Sequence, residues 1–310
     1  MIYCNICGGA TNTIEVREQM LGLNELFVYN QCVVCGHTHL NILPENIHKY
    51  YNAAEYYSFK NKSGLAQITS KKLMTFLKKS LIGLKMKRSP IYSSALQSVL
   101  SIRGIAKDSA ILDYGCGAGQ FVTELRTLGF TNANGYDPYL PANMSHGAEL
   151  YLSNDLAALK TTCWEVITLN HVFEHLEKPI EVLQQLGKLL CLNGKLILRF
   201  PVIDSFAYEK YQQNWVQFDA PRHLNLFTRK SIRLAIEKAG GYRILSLFDD
   251  SYHFQFTGSE LYLKGLSLKP SDNNRLKRLL SLKTYQFHFA AKKLNKANKG
   301  DQIVIILEKI

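Results

Sequence analysis

Nowhere in the 310 residues is there a run of 18 or more apolar positions, so no segment reads as a membrane-spanning helix. The first residues, MIYCNICGG, lack a basic stretch followed by an apolar one, and no secretory leader is expected. Both absences point to the cytoplasm, where thiols stay reduced and paired cysteines hold metal more often than they form disulfides. There is no internal repeat and no low-complexity tract. Acidic residues are missing from positions 60–107, which carry 11 Lys/Arg and no Asp/Glu. Residues 260–310 carry 11 Lys/Arg against 4 Asp/Glu. The other stretches, 1–59 and 108–259, are each about −3, so the net +12 belongs to two flanking segments. Such segments attract nucleic acid, anionic membrane or an anionic substrate.

What is present begins with cysteine. Cys4, Cys7, Cys32 and Cys35 form C-x2-C-x24-C-x2-C, the spacing of a closed four-thiolate structural zinc site. TIEVRE and ELFVYNQC between the pairs read as a β-hairpin that brings them together. A closed site leaves no open coordination position, so its expected role is folding and not catalysis. Glu15, Glu18 and Glu25 against Arg17 make this ribbon acidic, which disfavours phosphate-backbone binding through it. Cys163 and Cys191 are read as ordinary apolar packing residues.

Residues 43–107 read as a helical lid or linker. Leu65, Ile68, Leu73, Phe76, Leu77, Leu81 and Leu84 recur at spacings of three to five, with lysines between them. The face is expected to pack on the core with its lysines solvated, and the alternative is attraction to a membrane surface. A second helix is expected after Ser89-Pro90. From residue 108 to 310 strands alternate with helices: SAILDY, ANGYD, WEVITLN, GKLILRFPV, YRILSLF and DQIVIILEK, interrupted by a basic helical insertion at about 256–299. That alternation argues for an α/β fold, a doubly wound parallel sheet with helices on both faces.

ILDYGCGAGQFVTEL places Gly115, Gly117 and Gly119 between a strand and a helix, with Asp113 at the strand end. Glycines there let backbone approach a ligand at the crevice of an open sheet. A dinucleotide fingerprint needs a glycine where Gln120 stands, and no GK[ST] of a P-loop occurs. Asp137, ending the next strand, suits the two hydroxyls of an adenosine ribose. Chemistry on a hydroxyl or acidic carbon bound in that crevice needs a base near it. Histidine suits that role at neutral pH. His171, Glu174 and His175 follow the fourth strand, and Asp219, Arg222 and His223 follow the fifth, both at the carboxyl edge of the sheet. His175 or His223 is the expected base, oriented by Glu174 or Asp219; His171, Glu174, His175 and His223 also resemble the divalent-metal motif ExxEH plus a distant histidine of small-RNA 2′-O-methyltransferases, with His171 in place of its first acid.

ILDYGCGAGQFVTEL, GYDP and NHVFEHLEKP together resemble class I S-adenosylmethionine-dependent methyltransferases, in the branch related to ubiquinone-biosynthesis O-methyltransferases. The resemblance covers roughly 108–250. It implies a seven-stranded Rossmann-like methyltransferase sheet preceded by a small zinc ribbon, residues 1–42, and the helical lid. It also implies that Asp113, Gly115, Gly117 and Gly119 wrap the methionine end of S-adenosylmethionine and Asp137 holds the ribose. Asp155 then lies near the adenine, and Asn170 and His171 line the cofactor side of the site. The ribbon ahead of a cofactor domain, and the segment PRHLNLFT, resemble methyltransferases of sugar metabolism. The expected acceptor is therefore a sugar or cell-surface glycan precursor, at the inner face of the membrane. Alternatives are an RNA or small-aromatic O-methyltransferase and a non-catalytic zinc-ribbon scaffold. Nucleic acid is the disfavoured partner, and nothing in the sequence sets the oligomeric state.

Overall fold

The computed structural model describes residues 2–51, 65–86, 89, 91–146, 149–159, 161, 163–268 and 282–310. The strands are β1 (Thr11–Arg17), β2 (Leu26–Cys32), β3 (Thr38–Leu40), β4 (Ile111–Tyr114), β5 (Ala133–Tyr136), β6 (Met144–His146), β7 (Glu149–Ser153), β8 (Trp164–Asn170), β9 (Leu190–Pro201), β10 (Asn225–Leu226), β11 (Tyr242–Asp249) and β12 (Gln302–Lys309). The helices that matter for the site are α1 (Leu65–Gly83), α2 (Ser94–Ser101), α3 (Gln120–Thr127), α4 (Pro179–Leu189), α5 (Phe206–Tyr211) and α6 (Arg229–Ala239).

The main sheet has eight strands in the order β11-β12-β9-β8-β4-β5-β7-β6, where seven were expected. The additional strand is β6, which pairs antiparallel with β7 at the edge. The run from β9 to β7 is parallel, and β12 lies antiparallel between β9 and β11. Both faces are covered, so successive residues of a strand enter opposite cores. Along β12, Ile303, Ile305 and Leu307 join Leu183, Leu186, Ile232 and Ile236 of α4 and α6. Val304 and Ile306 join Leu96, Val99, Val122 and Leu125 of α2 and α3. This is the doubly wound architecture that the strand and helix alternation implied.

The hairpin of β1 and β2 is antiparallel, with Thr11 opposite Cys32. Its sheet continues through β3 and is completed by β10, drawn from the PRHLNLFT segment more than 180 positions away. Thr228 caps α6 and also donates from Oγ1 to the Cys35 carbonyl at 2.7 Å. At Gly36 a Cβ would come 2.8 Å from Thr228 Cγ2. The cysteine-bearing sheet is thus seated on the larger body by backbone pairing and close packing together.

Three further expectations change. The helix after Ser89 begins at Ser94, because the Ser93 side chain accepts from Leu96 N and caps it there. Cys163 and Cys191 form a disulfide rather than packing as free thiols. The parallel pairing of β8 with β9, which sets Trp164 opposite Leu190, brings their Cα atoms to 5.0 Å. On α1 the expected core-facing stripe faces outward: Leu73, Phe76 and Leu77 are exposed, as is Leu84 just beyond it. Leu81 and Ile82 do pack against the core, so the helix is held by its last turn. Side chains of residues 65–72 lie outside the described residues.

Candidate active site

The parallel sheet reverses its strand order between β4 and β8, and an open α/β sheet binds its ligand where that happens. The loop after β4 carries the three glycines, all at positive φ: 78° for Gly115, 52° for Gly117 and 71° for Gly119. A side chain at Gly115 would meet Val172 Cγ2 at 2.5 Å, and one at Gly119 would run into the Leu152 methyls. Positive φ and missing space together require glycine at both positions.

Asp113, next to last in β4, is buried. Its Oδ1 accepts from Thr168 Oγ1 at 2.6 Å and Asn170 Nδ2 at 3.2 Å. Burial is the main influence on its carboxyl and outweighs those bonds, pushing it up to about 6. Asp137, just beyond β5, accepts from Gly117 N at 2.8 Å and from Tyr139 N at 2.9 Å, one amide per oxygen. A carboxylate offers about four lone-pair sites, so acceptor capacity remains on both acids. An acceptor-only set beside a glycine turn fits a ligand that presents hydroxyl and ammonium donors, as S-adenosylmethionine does. Asp155 is exposed beyond β7, and its Oδ1 caps Ala157 N at 3.0 Å.

The other side of the crevice is a polar cluster. His171 sits at φ 55° and Asp219 at φ 46°, left-handed conformations that cost energy outside glycine. Arg199 Nη1 donates to His171 Nε2 at 2.7 Å. An arginine only donates, so the His171 proton is on Nδ1, which faces Glu174 Oε1 at 3.3 Å. His175 Nδ1 lies 2.8 Å from the Arg222 carbonyl, and His223 Nδ1 lies 2.8 Å from the Gln217 carbonyl. A carbonyl only accepts, so both imidazoles carry a proton on Nδ1. His223 Nε2 is 3.9 Å from Glu174 Oε1 and 3.6 Å from Asp219 Oδ2.

The carboxylates differ in how they are satisfied. Asp219 forms a two-pronged pair with the buried Arg222 guanidinium, one contact being Arg222 Nε to Oδ2 at 3.0 Å. Burial acts to raise Asp219, but Arg222 and then His223 hold it below the ordinary range. Glu174 is fully buried, and among the described residues neither oxygen has a hydrogen-bond partner of good geometry. Burial works to raise it too; the His171 contact and the surrounding histidine charge bring it down to about 2. Burial, the largest influence on His223, lowers it to about 4, so its imidazole is neutral at pH 7.

The fold therefore gathers Glu174, His175, His223 and Asp219 at one place, with Asn170 and His171 between them and the glycine loop. Asp219 is engaged with Arg222, while the orientation of His223 comes from the Gln217 carbonyl. Residues that sequence reasoning missed complete the surroundings. Tyr51 Oη contacts His175 Nδ1 at 3.1 Å, Tyr29 Oη donates to the His223 carbonyl at 3.0 Å, and Arg199 Nε donates to Asp250 Oδ2 at 2.7 Å. No local pattern marks these three contacts, because each joins positions at least 51 apart.

At the other end of the chain the four cysteine sulfurs lie within 4.8 Å of one another. Cys4 and Cys35 are 3.7 Å apart, and Cys7 and Cys32 are 3.3 Å apart. Tetrahedral thiolates at about 2.3 Å from a metal stand about 3.8 Å from one another. Knuckle amides point at the sulfurs, Ile6 N at Cys4 Sγ and Val34 N at Cys32 Sγ, each at 3.4 Å.

The methyltransferase-domain family matches residues 87–247. That is about half of the chain and includes both sides of the crevice, and the chain belongs to this family. It is an S-adenosylmethionine-dependent methyltransferase. No curated protein matches the sequence. Among solved structures, an S-adenosylmethionine-dependent methyltransferase from Archaeoglobus fulgidus is 18% identical, with a TM-score of 0.39, over 65% of this chain and 86% of that one. A methyltransferase from Bacillus halodurans is 13% identical, with a TM-score of 0.41, over 70% and 99%. A cyclopropane synthase from Mycobacterium tuberculosis is 14% identical, with a TM-score of 0.41, over 66% and 80%.

Proposed function

We propose that the enzyme methylates a hydroxyl, or alternatively a carbon, of a sugar or glycan precursor. The observation that carries the proposal is the neutral His223 imidazole, its Nδ1–H held by the Gln217 carbonyl, with His175 beside it at the crevice of the glycine loop. S-adenosylmethionine supplies an electrophilic methyl group on a sulfonium. Asp113 and the Gly115–Gly119 turn would hold its methionine end, and Asp137 its ribose. An acceptor hydroxyl attacking that methyl must lose a proton, and a neutral imidazole with a free Nε2 is the group to receive it. Backbone carbonyls hold the Nδ1–H side of both rings, so their orientation is set before the transfer. The sugar class rests on the likeness of layout to methyltransferases of sugar metabolism. The same likeness, with the sulfur geometry, supports a structural zinc ion on Cys4, Cys7, Cys32 and Cys35. The exposed Leu73, Phe76 and Leu84 in a basic segment favour peripheral attachment to an anionic leaflet, where lipid-linked precursors are found.

The test is calorimetric binding of S-adenosylmethionine and S-adenosylhomocysteine to wild type and Asp137→Ala. Micromolar binding that is lost in the variant is expected. A folded, zinc-loaded wild type that binds neither compound sinks the assignment of the crevice. Screening of nucleotide sugars then tests the acceptor class.

A further inference from the structure

The basic insertion near the C-terminus ends in a helix, α7 (Leu282–Lys296), with two apolar faces. The inner face holds it in place. Phe287 stacks on Phe256 at 4.9 Å, Ala291 is buried, and Ala290 and Leu294 join the same core. The outer face has no such role. Leu282, Tyr285 and Phe289, at i, i+3 and i+7, stand 83%, 59% and 67% exposed. At 3.6 residues per turn, Lys292, Lys293 and Lys296 fall with them in one arc of about 100°. The helix carries four lysines and no acid. Among the described residues only Lys283 of these has an acidic partner, Glu260 at 2.9 Å.

Both ends of α7 are fixed to the body. Lys283 meets Glu260 at one end. At the other, Asn295 clamps Ser251, donating from Nδ2 to its carbonyl at 2.8 Å and accepting its N–H at 3.2 Å. Ser251 follows Asp250, which accepts from Arg199, and Arg199 donates in turn to His171. β12 begins shortly after α7, with Gln302 opposite Pro201 at the carboxyl end of β9. The helix therefore stands at the edge of the sheet where the crevice opens, with its outer stripe turned to solvent.

We infer that α7 lays Leu282, Tyr285 and Phe289 into an anionic membrane leaflet and so turns the crevice edge of the protein toward the bilayer. Contiguous apolar surface of this kind marks an interaction site. The lysines select the partner. A second copy would set lysine against lysine across the contact. A nucleic acid would use the lysines and leave the apolar stripe in water. A leaflet of anionic lipid uses both. The apolar side chains enter the boundary of headgroups and acyl chains, and the lysines reach back to the phosphates. Tyr285 has an aromatic body and a polar tip, which suits that depth. The contact is separate from α1, whose last turn packs with α2 and α3 on another core. The inference deepens the proposal of a lipid-linked acceptor and rests on it for its purpose, since a crevice held at the leaflet meets an acceptor that stays there.

The experiment uses the full chain at low salt, with phosphatidylcholine vesicles that contain or lack phosphatidylglycerol. Phe289→Trp places a fluorophore in the stripe, while the native Trp164 and Trp215 are buried. Its emission is expected to be quenched by brominated lipid in the anionic vesicles alone. Leu192→Trp, exposed near the start of β9 and so at the opposite edge of the sheet, should not be quenched. Leu282→Ser combined with Phe289→Ser should weaken vesicle binding about tenfold or more. Circular dichroism and cofactor binding should be unchanged, because both positions are exposed. Leu73→Ser with Phe76→Ser gives the comparison for α1. An unquenched Phe289→Trp overturns the inference, as does vesicle binding that the α7 double variant retains in full. Sedimentation in which that variant dissociates a dimer, with no vesicle binding by wild type, assigns the stripe to a second copy and also overturns it. Quenching together with methylation of a soluble nucleotide sugar alone upholds the membrane contact and removes the lipid-linked acceptor. Transfer to a lipid-linked precursor without quenching does the reverse.

Discussion

At Asp113 one carboxyl is asked to do two opposed things. It must be ionised to accept donors from a cofactor, yet burial favours its neutral form and sets it at about 6 against an ordinary 3.8. Because the folded value is raised, the folded protein binds more protons than the unfolded chain between those limits. Stability from this group is present below about pH 4 and is lost as pH rises through about 6. At about 1.4 kcal/mol per pH unit over that interval, the loss is on the order of 2–3 kcal/mol. Asp113→Asn keeps an oxygen for Thr168 and Asn170 and removes the charge. It should raise the unfolding temperature at pH 7, raise it little at pH 4, and weaken S-adenosylmethionine binding. Equal shifts at both pH values in thermal scans would show that the buried charge is not the cause.

Among elements, the strand of greatest consequence is the shortest. β10 has two residues, and it pairs Asn225 and Leu226 with His39 and Thr38 of the cysteine-bearing sheet. His223 precedes it by two positions, and the Tyr29 hydroxyl from β2 holds the His223 carbonyl. Tyr29 is itself locked edge-on to Phe218 at 4.9 Å. The N-terminal sheet therefore sets where His223 stands, although its sulfurs take no part in the crevice. With zinc on the four cysteines as proposed, Cys4→Ser should release it, lower the unfolding temperature by several degrees and reduce methyl transfer severalfold, with secondary structure retained. Zinc content, circular dichroism and turnover measured together decide this. Full turnover in zinc-free protein would disconnect the module from the site.

For the whole molecule, charge and apolar exposure coincide in sequence. The stretch of residues 60–107 with 11 Lys/Arg and no acid is also where Leu73, Phe76 and Leu84 stand 62%, 66% and 72% exposed. Among the described residues no helix is long and apolar enough to cross a membrane, so attachment would be at the surface. Vesicles containing anionic lipid should retain the protein at low ionic strength and release it as salt rises, since the Debye length shortens to about 8 Å at 0.15 M. Indifference to such vesicles at low salt removes the leaflet from the proposal.

The sequence by itself determined the periodic and contiguous features. Continuous apolar runs such as IVIIL in β12 bury both faces of a strand, three glycines at every second position make a turn, and two CxxC pairs make two knuckles. Each depends on neighbours within about ten residues, and so each was readable. The placement of Glu174, His175 and His223 at one edge was readable too, because strand ends in a parallel sheet share an edge. Tertiary structure alone decided what is long-range. The register of β8 on β9 turned Cys163 and Cys191 into a disulfide, and a β10 strand closed a sheet begun near the N-terminus. Packing left Leu73, Phe76 and Leu77 of α1 exposed, since periodicity shows that a helix has an apolar face and not what covers it. The state of Glu174 belongs to the same class. Its charge is written in the chain, but the His171 Nδ1–H that faces it at 3.3 Å is turned that way by Arg199, which donates to the other nitrogen of the ring.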